Sequence, residues 1–177
     1  MSAIAAPSKW TVDKTHSNVG FSVKHMVVST FRGRFEDFDA TLTASDDGTL
    51  RLEGTVRADS IVVKDENLKA HLSAPDFFDT GNHPEIAFAS TLVRAENGEL
   101  AVEGELTIKE HTRPLRARGT ISEPVAVLAD LTKISIELEA AVDRREYGLT
   151  WNSPLPNGGF ALGNEVTLLV NLELNRE

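Results

Sequence analysis

Apolar residues recur at every second position along most of this chain, and that period limits what it can fold into more than any other feature. Leu50, Leu52, Gly54, Val56 and Ala58 alternate with Arg51, Glu53, Thr55, Arg57 and Asp59. Leu100, Val102, Gly104, Leu106 and Ile108 alternate with Ala101, Glu103, Glu105, Thr107 and Lys109. Val166, Leu168, Val170, Leu172 and Leu174 close the chain in the same rhythm. Successive side chains of a strand point to opposite faces, so this period describes strands with one face buried and one in water. A domain of such strands must hide its apolar faces against each other, across a sandwich or around a barrel. A closed barrel can enclose a lumen, and here the lumen would be apolar.

At 177 residues the chain suits one β domain. We read residues 1–177 as that single domain, with residues 1–8 as a loose N-terminal tail. No run approaches the roughly 18 apolar residues that a membrane-spanning helix needs. The start, Met1 to Ser8, lacks a basic region and has only a stub of apolar residues. It does not read as a signal peptide, so the expected location is the cytoplasm. With no cysteine there is no disulfide framework and no thiolate chemistry. A formal net charge of −9 disfavours a nucleic-acid partner, because that binding depends on neutralising phosphates. Acidic residues spread over solvent-facing positions serve solubility.

The layout gives about eight antiparallel strands joined largely as neighbours. Phe31, Gly33 and Phe35 keep one parity while Phe38, Ala40 and Leu42 take the other, which predicts a bend near Glu36-Asp37. Asp46-Asp-Gly-Thr49 and Glu96-Asn-Gly-Glu99 predict hairpin turns, since these residues tolerate positive φ. One stretch breaks the rhythm. Leu68 and Leu72 stand at helical spacing, with Asp65 as N-cap, and predict a helix of about two turns before Pro75. Too short to stand alone, it must lay its leucines on the barrel, most simply over one mouth.

The segment after that helix, His71-Leu-Ser-Ala-Pro-Asp-Phe-Phe-Asp-Thr-Gly-Asn-His-Pro-Glu-Ile-Ala-Phe88, resembles the signature segment of the YceI-like family of polyisoprenoid-binding proteins. Other motifs fit in the family's order: Trp10-Thr-Val-Asp13 with His16-Ser17, Val19 to Met26, Phe31-Arg-Gly-Arg-Phe35, Gly104-Glu-Leu-Thr-Ile108 with Thr112-Arg-Pro114, and Arg144 to Leu149. The resemblance runs from about Trp10 to Leu174 and departs at Leu68-Lys69, Glu110 and Tyr147, where the family favours Arg-Asp, glycine and phenylalanine. It implies an all-β, eight-stranded antiparallel, lipocalin-like barrel with one short helix near a mouth. It further implies non-catalytic binding, storage or transport of a long isoprenoid-type lipid, either a polyprenyl phosphate or a quinone-like molecule.

The apolar strand faces supply candidate lumen residues: Phe21, Val23, Phe35, Phe38, Leu42, Leu52, Val56, Phe88, Leu106, Ile108, Ile136, Leu138, Leu168 and Val170. From the residues alone these could equally fill a solid core, since eight strands can be packed by their own side chains; the resemblance favours a ligand. Leu68, Leu72, Phe77 and Phe78 are expected to seal a mouth. Gly33, Gly54 and Gly104 would thin the wall for a ligand or a large neighbour. Among basic residues near motifs, Lys24, Arg32, Arg34, Arg144 and Arg145 read as solvated strand-face charges.

The five histidines show no metal-binding spacing, so neither a metal nor a cofactor is expected. Asp13, His16 and Ser17 look like a catalytic set only on paper, because adjacent strand residues point apart. Asp76-Phe-Phe-Asp79 reads as a loop with two phenylalanine anchors rather than an acid/base pair with His71. The competing functions are an enzyme acting on a hydrophobic substrate inside the barrel, and a sequestering protein for lipophiles such as antibiotics. The sequence leaves room for a homodimer.

Overall fold

The computed structural model describes residues 4–177. Among them, twelve strands form one antiparallel sheet: β1 Ser8–Val12, β2 Asn18–His25, β3 Ser29–Phe35, β4 Phe38–Ala44, β5 Leu50–Arg57, β6 Ile61–Val62, β7 Glu85–Glu96, β8 Glu99–Ile108, β9 His111–Ile121, β10 Val125–Leu128, β11 Leu131–Asp143 and β12 Leu162–Arg176. One helix, α1 Glu66–Ser73, stands between β6 and β7. The twelve strands amount to eight staves, because β1 with β2, β3 with β4, β5 with β6, and β9 with β10 are each one run with a break in it. Each stave pairs with the next in sequence, and β12 returns to pair with both β1 and β2, closing the barrel.

The breaks have local causes. The parity switch at Glu36-Asp37 lies beside the break after Arg57, and the two hold each other. Arg57 N donates to Asp37 O at 2.9 Å, while Asp37 N donates to Ser60 Oγ at 3.0 Å. Each bend turns its stave without leaving its backbone groups unpaired, as a tightly curved barrel requires. Hairpins fall at the two expected turns, where Gly48, Asn97 and Gly98 all take positive φ. Within the stretch expected as a loose tail, residues 1–8, the positions Ala5 to Pro7 are exposed. Ile4 is buried in the core and Ser8 already begins β1; residues 1–3 lie outside the described residues.

The up-and-down order puts alternate connections at opposite ends. One end carries the 26–28 tip, α1, the 109–110 tip and the 144–161 segment; the other carries the 45–49, 97–98 and 129–130 turns with the described start of the chain and the C-terminus. The second end is solid. Trp10, Leu42, Leu100, Ile134, Ile136 and Leu174 are all at most 2% exposed there. Burying each such side chain contributes about 1.5–3 kcal/mol, so this floor carries much of the barrel's stability.

Candidate ligand-binding site

Above the floor the barrel is hollow. A cavity of about 700 Å³ opens at the helix-bearing end, walled almost entirely by apolar side chains. The wall holds Phe21, Val23, Phe35, Phe38, Leu52, Val56, Phe88, Leu106, Ile108, Leu138, Leu168 and Val170 from the strands, with Leu68, Leu72, Phe77 and Phe78 from the helix and its loop. Two expected members do not reach it. Leu42 and Ile136, each 0% exposed, belong to the floor. They alternate like their neighbours, but Leu42 pairs with the buried Trp10 and Ile136 pairs with the buried Ile121. Sequence reading missed Phe31, Val166 and Trp151, which also line the cavity. Phe31 shares parity with Phe35, and Val166 with Leu168, so alternation would have found both. Trp151 sits in a segment without strand period and gave no such signal.

Two glycines decide where the wall stands. A β-carbon on Gly33 would lie 2.5 Å from Phe21 Cζ, and one on Gly104 would lie 2.6 Å from Phe88 Cζ. The space they release is thus taken by neighbouring rings that lie flat against the wall. Phe21 in turn packs on Phe31 and Phe35, with ring centroids 6.1 and 6.0 Å away.

The mouth is built by short-range hydrogen bonds. Asp65 caps α1 by accepting from Leu68 N at 2.9 Å, which starts the helix where its leucines face the lumen. Phe77 N donates to Ala74 O and Phe78 N to Leu72 O, both at 3.0 Å, folding the following loop back so that both rings turn inward. They are 6% and 8% exposed, as the two-anchor reading expects. Lys109 Nζ ties this loop to the other side of the mouth by donating to Pro75 O at 3.0 Å and Gly148 O at 3.3 Å. The His71 ring stands edge-on to Phe77 and Trp151, at 4.8 and 5.0 Å between centroids, with Asp76 Oδ2 3.8 Å from its Nε2.

Arg144 corrects an expectation. Instead of being solvated it is 5% exposed. Its guanidinium donates to the carbonyls of Leu149, Trp151, Leu162 and Gly163 and to Asn164 Oδ1. Burial lowers its pKa from the usual arginine value. Fully engaged in this way, Arg144 pins the segment that carries Trp151 to the barrel and has no donor left for a ligand.

A second titratable cluster lies outside the cavity. Asp13 accepts from His16 at 2.9 Å and from Lys133 at 3.0 Å, and Lys133 also binds Glu173. His16 and then Lys133 hold the Asp13 pKa down to about 2. Asp13, His16 and Glu173 are close enough to share a cation, but Lys133 already supplies the positive charge between the two carboxylates. Ser17 Oγ accepts from Glu173 N at 2.9 Å and so serves the β1–β12 seam. The cluster clamps the last strand to the first.

Comparison with known proteins places this architecture. Residues 10–174 match the family model described as the YceI-like domain. A UPF0312 protein of Staphylococcus aureus (strain USA300) is 31% identical over 175 residues, covering 95% of this chain and 98% of that protein. Among solved structures, BcnA of Burkholderia cenocepacia superposes with a TM-score of 0.75 at 19% identity, covering 92% of this chain and 98% of the other. The Campylobacter jejuni YCEI protein gives 0.73 at 23%, covering 94% and 96%. A polyisoprenoid binding domain from Saccharophagus degradans gives 0.64 at 11%, covering 93% and 97%.

Proposed function

The chain belongs to the YceI-like domain family, and we propose that it binds, stores or transports a long isoprenoid-type lipid in its lumen without transforming it. The observation that carries this reading is the 700 Å³ apolar cavity, closed by a solid floor and open at one mouth. The description of the Saccharophagus degradans relative as a polyisoprenoid binding domain supports the ligand class. A tail is retained by burial alone: at about 0.8 kcal/mol per CH₂, a dozen carbons contribute on the order of 10 kcal/mol before the entropy lost on binding. The head group has little to meet inside. Arg144 is saturated by the chain's own carbonyls, which favours a quinone-like head within the lumen or a phosphate left at the mouth.

The enzyme alternative would rest on His71 and Asp76, yet His71 is wedged between two aromatic rings at the rim. Mass spectrometry of an organic extract from the purified protein tests the proposal. A co-purifying polyprenyl species is expected. Conversion of an added isoprenoid to a new product, lost in a His71→Ala variant that still binds, would replace the carrier with an enzyme.

A further inference from the structure

Four of the large apolar side chains that the described residues leave in water lie together at the mouth. Met26, Val27 and Val28 form the β2–β3 tip at 42%, 61% and 85% exposed, and Phe160 is 58% exposed in the adjoining segment. The two pieces are one surface: Met26 N donates to Ala161 O at 2.7 Å. That surface is continuous with the lumen, since Met26, Ala161 and Leu162 also line the cavity.

The chain maintains this tip against its own backbone preference. Met26 and Val27 have φ of 52° and 66°, a region that suits asparagine or glycine in a hairpin and is least favourable for a β-branched valine. A tip selected for folding alone would be polar and glycine-rich.

Charge along these two segments is equally distinctive. From Lys14 to Phe35 there is no acidic residue, although the chain carries 27. From Tyr147 to Asn164 there is no charged residue at all. Lys24 and Arg32 flank the tip, and neither makes an ion pair among the described residues. The tip and the Phe160 segment, with exposed apolar side chains, two free cations beside them and no carboxylate of their own, match the interface of an anionic bilayer. The carboxylates of the same end, among them Glu66, Asp76, Glu110 and Glu146, stand outside these two stretches. A second copy of the chain fits less well, because it would bring the same cations to a two-fold contact.

We propose that the β2–β3 tip and the Phe160 segment dock the mouth against an anionic lipid surface, so that an apolar chain passes between bilayer and lumen without crossing water. This rests on the lipid-carrier reading. The contact proposed is peripheral, made by the tip and the Phe160 segment alone.

The test is co-sedimentation of the full chain with phosphatidylcholine vesicles, with and without added phosphatidylglycerol. Binding is expected to the anionic vesicles and to weaken with salt. The V28D/F160D double variant should lose vesicle binding by about tenfold or more, with its melting temperature retained. Val127→Asp, on the exposed β10 strand near the floor end, should change nothing. Uptake of a polyprenyl lipid from detergent micelles separates the two readings. Uptake without vesicle binding overturns docking alone, whereas no uptake overturns the carrier. Docking is also overturned if the double variant binds vesicles as the parent does, or if the parent is a concentration-dependent dimer that the double variant abolishes.

Discussion

The floor and the mouth of this barrel are made from the same alternating strands, yet one is packed solid and the other is hollow. At the floor Trp10 enters from β1, pairs across the sheet with Leu42 and Arg176, and is left 1% exposed. Leu100, Ile134, Ile136 and Leu174 fill the rest. At the mouth the inward residues are no smaller, but Phe21 and Phe88 lie against glycines and hug the wall. There α1 and its loop cover the opening rather than filling it. Whether an inward apolar face becomes core or cavity is therefore set by where a few large side chains lie across the barrel, and hydrophobicity alone does not distinguish the outcomes.

The comparison breaks most sharply on truncation. Trp10→Ala should cost about 3–5 kcal/mol, because it opens a void in close-packed surroundings. Leu168→Ala, on the cavity wall, should cost well below the roughly 2–5 kcal/mol typical of a packed leucine, since part of its surface already faces space. Equal losses in urea unfolding would mean the two ends are packed alike.

Enlargement runs the other way. Leu106→Trp or Val23→Trp should fold normally and lose lipid uptake, as the new ring occupies the lumen. Ile136→Trp should destabilise by about 1–3 kcal/mol, because the floor has no room. A Leu106→Trp protein that binds lipid like the parent would remove that position from the ligand's path.

The mouth loop offers a finer test. We expect Phe77→Ala to speed lipid release several-fold, as lids are drawn from the less stable parts of a fold. Should Phe77 instead be an ordinary plug, melting temperature would fall sharply with the off-rate unchanged. Stopped-flow release read beside thermal unfolding decides between them.

The smallest effects belong to the seam clamp, which is polar and partly exposed. The Asp13 pKa is depressed by His16 first and Lys133 second, so its contribution is present above the ordinary carboxylate range and lost as pH falls towards about 2. The hydrogen bond to Asp13 raises the His16 pKa from its ordinary 6.5. Its contribution is thus complete below 6.5 and lost as pH rises through the raised value. The melting-temperature advantage of the parent over His16→Ala should accordingly be largest in mildly acidic buffer and fade at both extremes. An advantage independent of pH would show that His16 acts through packing alone.

Much of this was legible in the residues. Alternation placed the strands, Asp-Gly and Asn-Gly placed two turns, a parity switch placed the bend at Glu36-Asp37, and Asp65 with Leu68 and Leu72 placed the helix. These are short-range signals, written within a few residues by backbone geometry and local hydrogen bonding. The level of each inward residue along the barrel axis was not legible. Leu42 and Ile136 read like Leu52 and Leu138, and only closure of the sheet put the first pair in the packed floor and the second on a cavity wall. Nor could the sequence show that Arg144 is buried, because four of its five partners are backbone carbonyls that any residue would supply. Packing in three dimensions decided those points, since which groups share a cross-section depends on strand register and barrel closure, and neither is encoded in any single segment.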